Sequence, residues 1–230
     1  MSKSYFITGT DTDAGKTLVT AALLEAANRQ GARTGALKPV AAGVVESDQG
    51  LCNDDALLLQ QYSSQKMPYQ QVNPVLFKDA IAPHIAAERE GKRITAERLV
   101  GFCRGAMMQP MELMLIEGAG GWRVPLNSQE YMSEIPKRLQ IPVILVVAMR
   151  LGCLNHCLLT AEAIAADGLR LAGWVANNVD PEMTGYQENL QTLKERIRAP
   201  LLGEIPFMES VSVEKAADHL LTGVNHLLSI

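Results

Sequence analysis

Two predicted strands contain only apolar residues, residues 113–116 (LMLI) and 143–148 (VILVVA). A strand with one face in water alternates apolar and polar residues, so an uninterrupted apolar run indicates a parallel sheet covered on both faces. Further strands are predicted at residues 5–8, 34–40, 171–176 and 202–205. Because helical patterns separate the strands, the sequence predicts a doubly wound α/β fold whose site lies at the carboxyl ends of the strands.

The predicted helices cover the faces of this sheet. One follows the first strand, with apolar residues at Leu18, Ala21, Leu24 and Ala27. Asn53 and Thr95 are of the residue types that cap helix starts. The other predicted helices span residues 54–65, 95–108, 154–166, 186–197 and 213–228. Residues 67–91 contain three prolines and are predicted to form a surface excursion with a short helix at 85–90.

The first predicted strand leads into a phosphate-binding loop. Residues 9–17 read GTDTDAGKT, and the helix begins directly after them. In such a loop, backbone N–H groups surround the phosphates, the lysine reaches the outer phosphates and the hydroxyl binds Mg²⁺, roles that fall here to Lys16 and Thr17. The usual spacing places a glycine at position 10, where this chain has Thr10, so the loop is a variant of the P-loop NTPase pattern.

The totals limit the function classes. With 230 residues, 47% of them apolar, and no linker-like segment, a single domain over residues 1–230 is expected. A net charge of −4, with scattered lysines and arginines, does not indicate nucleic-acid binding. The longest apolar run, residues 143–149, is far below the roughly 18 residues of a membrane span. No signal peptide precedes the first strand and the four cysteines lack a C-x-x-C pair, so a cytoplasmic location is expected.

Three oxygen-bearing side chains are candidates for holding Mg²⁺, namely Thr17, Asp55 and Glu117. Glu117 ends an apolar strand, where no structural need for an acid is apparent, whereas Asp55 in a helix's first turn could also serve to compensate the helix dipole. Lys38 ends the second predicted strand on the same side of the sheet as the phosphate loop. It could face the γ-phosphate and a developing anion, although a lone lysine there is usually only solvated.

Several motifs in order along nearly the whole chain resemble the ATP-dependent dethiobiotin synthetase family. These motifs are GTDTDAGKT (9–17), KPV (38–40), DAL (55–57), VNP (72–74), PH (83–84), EGAGG (117–121), LGCLNH (151–156), GWVAN (173–177) and GEIP (203–206). The resemblance implies that 7,8-diaminononanoate takes up CO₂ to form a carbamate, that ATP phosphorylates the carbamate, and that the neighbouring amine closes the ureido ring. The products would be dethiobiotin, ADP and phosphate.

The resemblance also implies roles for individual residues. Lys38 and Lys16 would be catalytic and neutralise phosphate and carbamate charge, and Thr17, Asp55 and Glu117 would hold Mg²⁺. The nucleotide would be bound by Asp13, Ala14, Gly15, Lys16, Thr17, Leu18, Asp55, Glu117, Gly118, Ala119, Gly120, Asn177, Pro206, Phe207 and Met208. The substrate would be bound by Thr12, Ala42, Gly152, Cys153, Leu154 and Asn155, the last four reaching across a two-fold homodimer interface.

One position departs from the family pattern. The family usually has a serine or threonine where this chain has Ala42. Loss of one hydrogen bond to a bound polar group costs on the order of 0.5–1.5 kcal/mol, which would weaken substrate binding without abolishing it. A paralogue with a reduced or shifted preference, acting on a different small amine or carboxylate, is therefore an alternative.

Two other classes share this fold. Partition-type and septum-type ATPase switches carry a signature lysine five residues before the loop lysine, and this chain has Asp11 there. Amidoligases of the cobyrinic acid type add a glutaminase domain, whereas only 25 residues follow Ile205 in this sequence. Both alternatives are disfavoured.

Overall fold

The computed structural model describes residues 3–229, so the first two residues, on which the expectation about a signal peptide partly depends, lie outside it. Six strands form one parallel sheet in the order β10-β9-β8-β1-β7-β2, which confirms the predicted fold class. Their bounds are β1 (Lys3–Gly9), β2 (Thr34–Leu37), β7 (Leu113–Gly121), β8 (Val143–Met149), β9 (Leu171–Asn178) and β10 (Leu201–Ile205). The order reverses around β1, which places a crevice for ligands at the carboxyl ends of the central strands.

Both faces of the sheet are buried, which explains the uninterrupted apolar strands. In β1, Tyr5 and Ile7 pack with the helix that follows the phosphate loop, whereas Phe6 belongs to the core on the opposite face. Phe6 meets Trp122 there, edge to face, with ring centroids 6.2 Å apart. Because successive strand residues point to opposite faces, every position must be apolar when helices cover both.

Each helix predicted from the sequence has a counterpart, in the predicted order, among the helices of residues 3–229. They are α1 (Lys16–Arg29), α2 (Asp54–Tyr62), α3 (Tyr69–Val72), α4 (Pro83–Arg89), α5 (Ala96–Met107), α6 (Glu134–Leu139), α7 (Cys153–Ala166), α8 (Tyr186–Arg196), α9 (Val213–Asp218) and α10 (Leu221–Ser229). The caps are confirmed, since the side chains of Asn53 and Thr95 accept hydrogen bonds from the backbone N–H groups of Ala56 and Arg98.

The strand predicted over residues 34–40 is wrong as a single element. β2 ends at Leu37, and β3 (Val40–Ala42) pairs instead with β6 (Val75–Phe77) in a separate two-stranded sheet. The backbone of Lys38 leaves the main sheet because its N–H donates to the carbonyl of Val72, and its carbonyl accepts from Asn73 Nδ2 at 2.6 Å. This turn brings the side chain of Lys38 to the carboxyl edge of the sheet.

The helix predicted over residues 213–228 is also interrupted, at residues 219–220 between α9 and α10. At this point the chain crosses close over β10, where a Cβ on Gly203 would lie 2.3 Å from the carbonyl oxygen of His219. The sequence patterns did not predict α3, β6, α6 or the antiparallel pair β4 (Val45–Ser47) and β5 (Gly50–Cys52). Within residues 3–229, no helix has the length and apolar character needed to span a membrane.

Candidate functional site

A cavity of about 760 Å³ opens at the carboxyl ends of β1, β2 and β7. Its walls come from the phosphate loop, the turn after β2, the start of α2, the end of β7 and the segment before α4. The lining residues are Thr12, Asp13, Gly15, Lys16, Thr17, Lys38, Ala41, Ala42, Asn53, Asp55, Ala80, Ile81, Ala82, Pro83, Ala119, Gly120 and Val124. The two lysines singled out from the sequence therefore face the same cavity.

The phosphate loop has a backbone that favours glycine at position 15. Gly15 has a φ of 84°, in the left-handed region, and a Cβ there would lie 2.1 Å from Nδ2 of Asn177. Asn177 is buried, and its Nδ2 donates to the carbonyl of Ala14 at 3.0 Å. Close contact between β9 and the loop thus fixes the loop directly before the first turn of α1.

Lys16 is buried at the start of α1, and its Nζ donates to the carbonyl oxygen of Asp11 at 3.0 Å. Burial lowers the pKa of Lys16 from its usual range, although the carboxylate of Glu117 acts in the opposite direction. A bound phosphate would favour the charged form of this lysine in the same way.

Lys38 lies between two carboxylates. Its side chain is 5% exposed, and its Nζ donates to Glu117 Oε1 at 2.6 Å and to Asp55 Oδ2 at 2.9 Å. Burial opposes the charge, but the two carboxylates outweigh it, so the pKa of Lys38 is raised. Burial tends to raise the pKa of Asp55, yet the ammonium of Lys38 lowers it overall. Lys38 is therefore a fixed cation at neutral pH and cannot act as a general base there.

The oxygens around Lys38 suit Mg²⁺. The hydroxyl of Thr17 donates to Glu117 Oε1 at 2.9 Å, so Thr17, Asp55 and Glu117 form one cluster. Glu117 is fully buried, and its Oε2 has no hydrogen-bond partner among the residues that the structure describes. A hard cation that prefers few protein oxygens, with phosphates and water as further ligands, fits these donors.

Other predicted nucleotide residues surround this cluster. Ala14 is buried within the loop, Leu18 is partly buried in α1, and Ala119 and Gly120 line the cavity. Gly118 places its carbonyl oxygen 3.4 Å from Lys38 Nζ, and a Cβ on it would lie 2.9 Å from Cζ of Phe6. Gly118 is thus needed for packing against the core, a requirement that the sequence pattern did not reveal.

Two predicted groups do not line the cavity. Asn177, Pro206, Phe207 and Met208 lie on the far side of the loop, at the ends of β9 and β10, and Phe207 is 41% exposed. Gly152, Cys153, Leu154 and Asn155 lie at the start of α7, after β8, and contribute nothing to this cavity within the one chain. Their predicted roles in nucleotide binding and substrate binding remain predictions.

Sequence reasoning missed one wall of the cavity. Residues 80–83 come from the proline-containing excursion and present Ala80, Ile81, Ala82 and Pro83 to the cavity. The only sequence signal for this segment was the PH pair at residues 83–84, within the motifs that carry the resemblance. It also missed Arg150, whose guanidinium Nη2 lies 2.8 Å from Oδ2 of Asp11 beside the loop.

Known proteins are similar to this chain over most of its length. A family profile described as an AAA domain matches residues 3–215. The protein is 54% identical to the ATP-dependent dethiobiotin synthetase BioD of Cellvibrio japonicus, over 95% of each chain. It is 52% identical to the protein of the same name from Marinobacter nauticus, over 90% of this chain and 89% of the relative.

Among solved structures, the cell division protein MinD of Aquifex aeolicus superposes with a TM-score of 0.61, covering 100% of this chain and 98% of that one. At 12% identity this likeness concerns the fold alone. The identities near 50% over almost the whole length of both proteins show the family. The chain belongs to the family of ATP-dependent dethiobiotin synthetases.

Proposed function

We propose that this protein is an ATP-dependent cyclo-ligase that converts 7,8-diaminononanoate and CO₂ into dethiobiotin, with release of ADP and phosphate. The proposal is supported by the names of the relatives described above. It is supported equally by one observation in the structure. The ammonium of Lys38 is buried between two carboxylates in the cavity that the phosphate loop also lines.

The proposed reaction has three steps. An amine of the substrate adds to CO₂ and loses a proton, which gives a carbamate. A carbamate oxygen then attacks the γ-phosphorus of ATP, the bond to ADP breaks, and a carbamic-phosphoric anhydride forms. The second amine attacks the carbonyl carbon, the C–O bond to phosphate breaks, and the ureido ring closes with loss of another proton.

Lys38 and Lys16 have different tasks in this scheme. The ammonium of Lys38 stays protonated at neutral pH, so it would hold the carbamate and stabilise negative charge on the transferring phosphoryl group. Lys16 projects from the first turn of α1, where the loop's backbone N–H groups and the helix dipole also favour phosphate. In this scheme neither lysine removes a proton from the amines.

Thr17, Asp55 and Glu117 would hold Mg²⁺, whose charge would neutralise the β- and γ-phosphate oxygens of ATP. The buried Oε2 of Glu117, unpaired within the described residues, supports this assignment. The hydrogen bond from Thr17 to Glu117 keeps the hydroxyl and the carboxylate together. These residues would therefore set the position of the phosphates relative to Lys38.

Part of the cavity wall suits an aliphatic chain. Small or apolar side chains contribute to this wall, among them Ala41, Ala42, Ile81, Ala82 and Val124. Such a wall attracts methylene groups without directional contacts. Because Ala42 provides no hydroxyl, recognition of the amines would depend on the polar residues that line the cavity.

We also propose a homodimer, with residues 152–155 of each chain completing the partner's substrate site. Two apolar side chains near this segment are exposed, Leu151 (90% exposed) just before α7 and Leu159 (57% exposed) within α7, as expected for a surface that a second copy covers. A cytoplasmic location is proposed as well, and it is supported by four cysteines that are all free and buried.

The proposed function can be tested with purified protein, diaminononanoate, bicarbonate, ATP and Mg²⁺. Dethiobiotin should appear in equal amount to ADP, and ADP release should depend on the diamine. Lys38→Ala should lose most turnover while it still binds ATP, because the phosphate loop remains intact. Lys78→Ala is a suitable control, since Lys78 is exposed and does not line the cavity. Equal ATP hydrolysis with and without the diamine would contradict the proposal.

A further inference from the structure

Three contacts join the phosphate loop to the end of β8. The N–H of Thr10 donates to the carbonyl of Val146 at 2.9 Å, and Thr10 Oγ1 accepts from the N–H of Ala148 at 3.2 Å. Beyond these two contacts, Arg150 Nη2 meets Asp11 Oδ2 at 2.8 Å. The end of β8, which leads into residues 152–155 of the proposed substrate site, is thus connected to the loop that would bind the triphosphate.

Asp11 has three contacts that fix the start of the loop. Its Oδ1 accepts the N–H of Thr12 at 2.8 Å, its Oδ2 accepts from Arg150, and its carbonyl oxygen accepts from Lys16 Nζ at 3.0 Å. A nucleotide that draws Lys16 Nζ onto its phosphates would remove one of these contacts. The bond from Arg150 would then be a larger part of what holds Asp11 in place.

Arg150 is also connected to residues 152–155. Its carbonyl oxygen accepts from the N–H of Cys153 at 3.0 Å, which closes the turn into α7. Gly152 within this turn has a φ of 94°, a conformation that few other residues adopt. The backbone of Arg150 therefore helps to orient residues 152–155, while its side chain is held by the phosphate loop.

The ion pair adds little to the stability of the fold, because both side chains are nearly half exposed and surface ion pairs are weak. Its importance lies in the two segments that it connects. We propose that the Asp11–Arg150 pair is a positioning contact that couples nucleotide binding at the phosphate loop to diamine binding at residues 152–155. This inference rests on the proposed function. In the proposed dimer, residues 152–155 face the partner's substrate, so the coupling would pass from ATP on one subunit to the diamine of the other.

The test measures the dissociation constant of diaminononanoate by calorimetry, without and with a non-hydrolysable ATP analogue and Mg²⁺. In the natural protein the analogue should tighten diamine binding about fivefold, the lower end of typical allosteric coupling. In Arg150→Ala the ratio of the diamine dissociation constants measured without and with the analogue should fall to about one. The affinity for the analogue alone should change by less than about twofold, since an exposed ion pair has little energy of its own. Arg150→Lys keeps the charge and should restore most of the ratio.

Arg29→Ala is the matched control. Arg29 ends α1 and pairs with Asp218 at 2.7 Å on the surface, without any contact to Arg150. This variant should keep the full ratio. A ratio of one in the natural protein, an unchanged ratio in Arg150→Ala, or no recovery in Arg150→Lys would overturn the coupling. Failure of the diamine to bind at all would instead refute the proposed function, and the coupling with it.

Discussion

The buried pair of Lys38 and Glu117 gives the strongest prediction about stability. Its atoms are 2.6 Å apart, and the two side chains are 5% and 0% exposed. Lys38→Met keeps the length of the side chain but removes the ammonium, so the carboxylate of Glu117 would remain buried without its partner. Removing one member of a buried ion pair typically costs about 3–5 kcal/mol. Because Thr17 still donates to Glu117, we expect a loss near the lower end, about 3 kcal/mol.

Urea unfolding of four proteins at neutral pH tests this value. Lys38→Met together with Glu117→Gln should lose less stability than Lys38→Met alone, because the double variant buries no unpaired charge. Arg33→Ala is the control, since Arg33 forms an exposed pair with Glu112 at 3.7 Å and should contribute at most about 1 kcal/mol. If Lys38→Met unfolds like Arg33→Ala, the ammonium does not compensate the buried carboxylate and the described geometry is wrong.

Three further predictions concern Lys16, Gly118 and Ala42. Because burial lowers the pKa of Lys16, the affinity for ATP should fall with rising pH below the pH range in which an ordinary lysine loses its proton. Calorimetry in a pH series measures this affinity, and a loss confined to the range of an ordinary lysine would contradict the prediction. Gly118→Ala should destabilise the protein by about 1–3 kcal/mol, because its Cβ would lie 2.9 Å from Phe6; an unchanged unfolding midpoint would disprove the close packing. Ala42→Ser should lower KM for the diamine by about twofold to tenfold, and steady-state kinetics that give an equal or higher KM would exclude a substrate contact.

The parallel sheet could be predicted from the sequence because its cause is local and repeated. Residues such as Phe6 and Ile7, adjacent in one strand, both had to be apolar once helices covered both faces. The same holds for the caps at Asn53 and Thr95, where the side chain bonds within its own first turn.

The interruptions in the fold could not be predicted because they depend on distant partners. β2 ends at Leu37 since the backbone of Lys38 bonds to Val72 and Asn73, more than 30 residues away. The break between α9 and α10 reflects the close passage of His219 over Gly203. No pattern in the sequence indicates either of these contacts.

The candidate site was predictable where one motif fixes the geometry, as at Gly15 and Lys16, and where an acid directly follows an apolar run, as at Glu117, although β7 continues past Glu117 to Gly121. It was not predictable where two loops meet. Asp11 was noted only because a signature lysine is missing there, and its partner Arg150 lies 139 residues further along the chain. The wall at residues 80–83 likewise depends on how the excursion folds toward the cavity that the phosphate loop also lines.

Transfer of oxygen from CO₂ to phosphate tests most directly whether the cavity around Lys38 activates a carbamate. In a single turnover with C¹⁸O₂, faster than isotope exchange with water, a carbamate oxygen becomes the bridge to phosphorus and leaves with the phosphate. If the carbamate is phosphorylated, each inorganic phosphate should contain one ¹⁸O and the ureido carbonyl of dethiobiotin should contain the other. Phosphate without label, formed alongside labelled dethiobiotin, would contradict the phosphorylated carbamate.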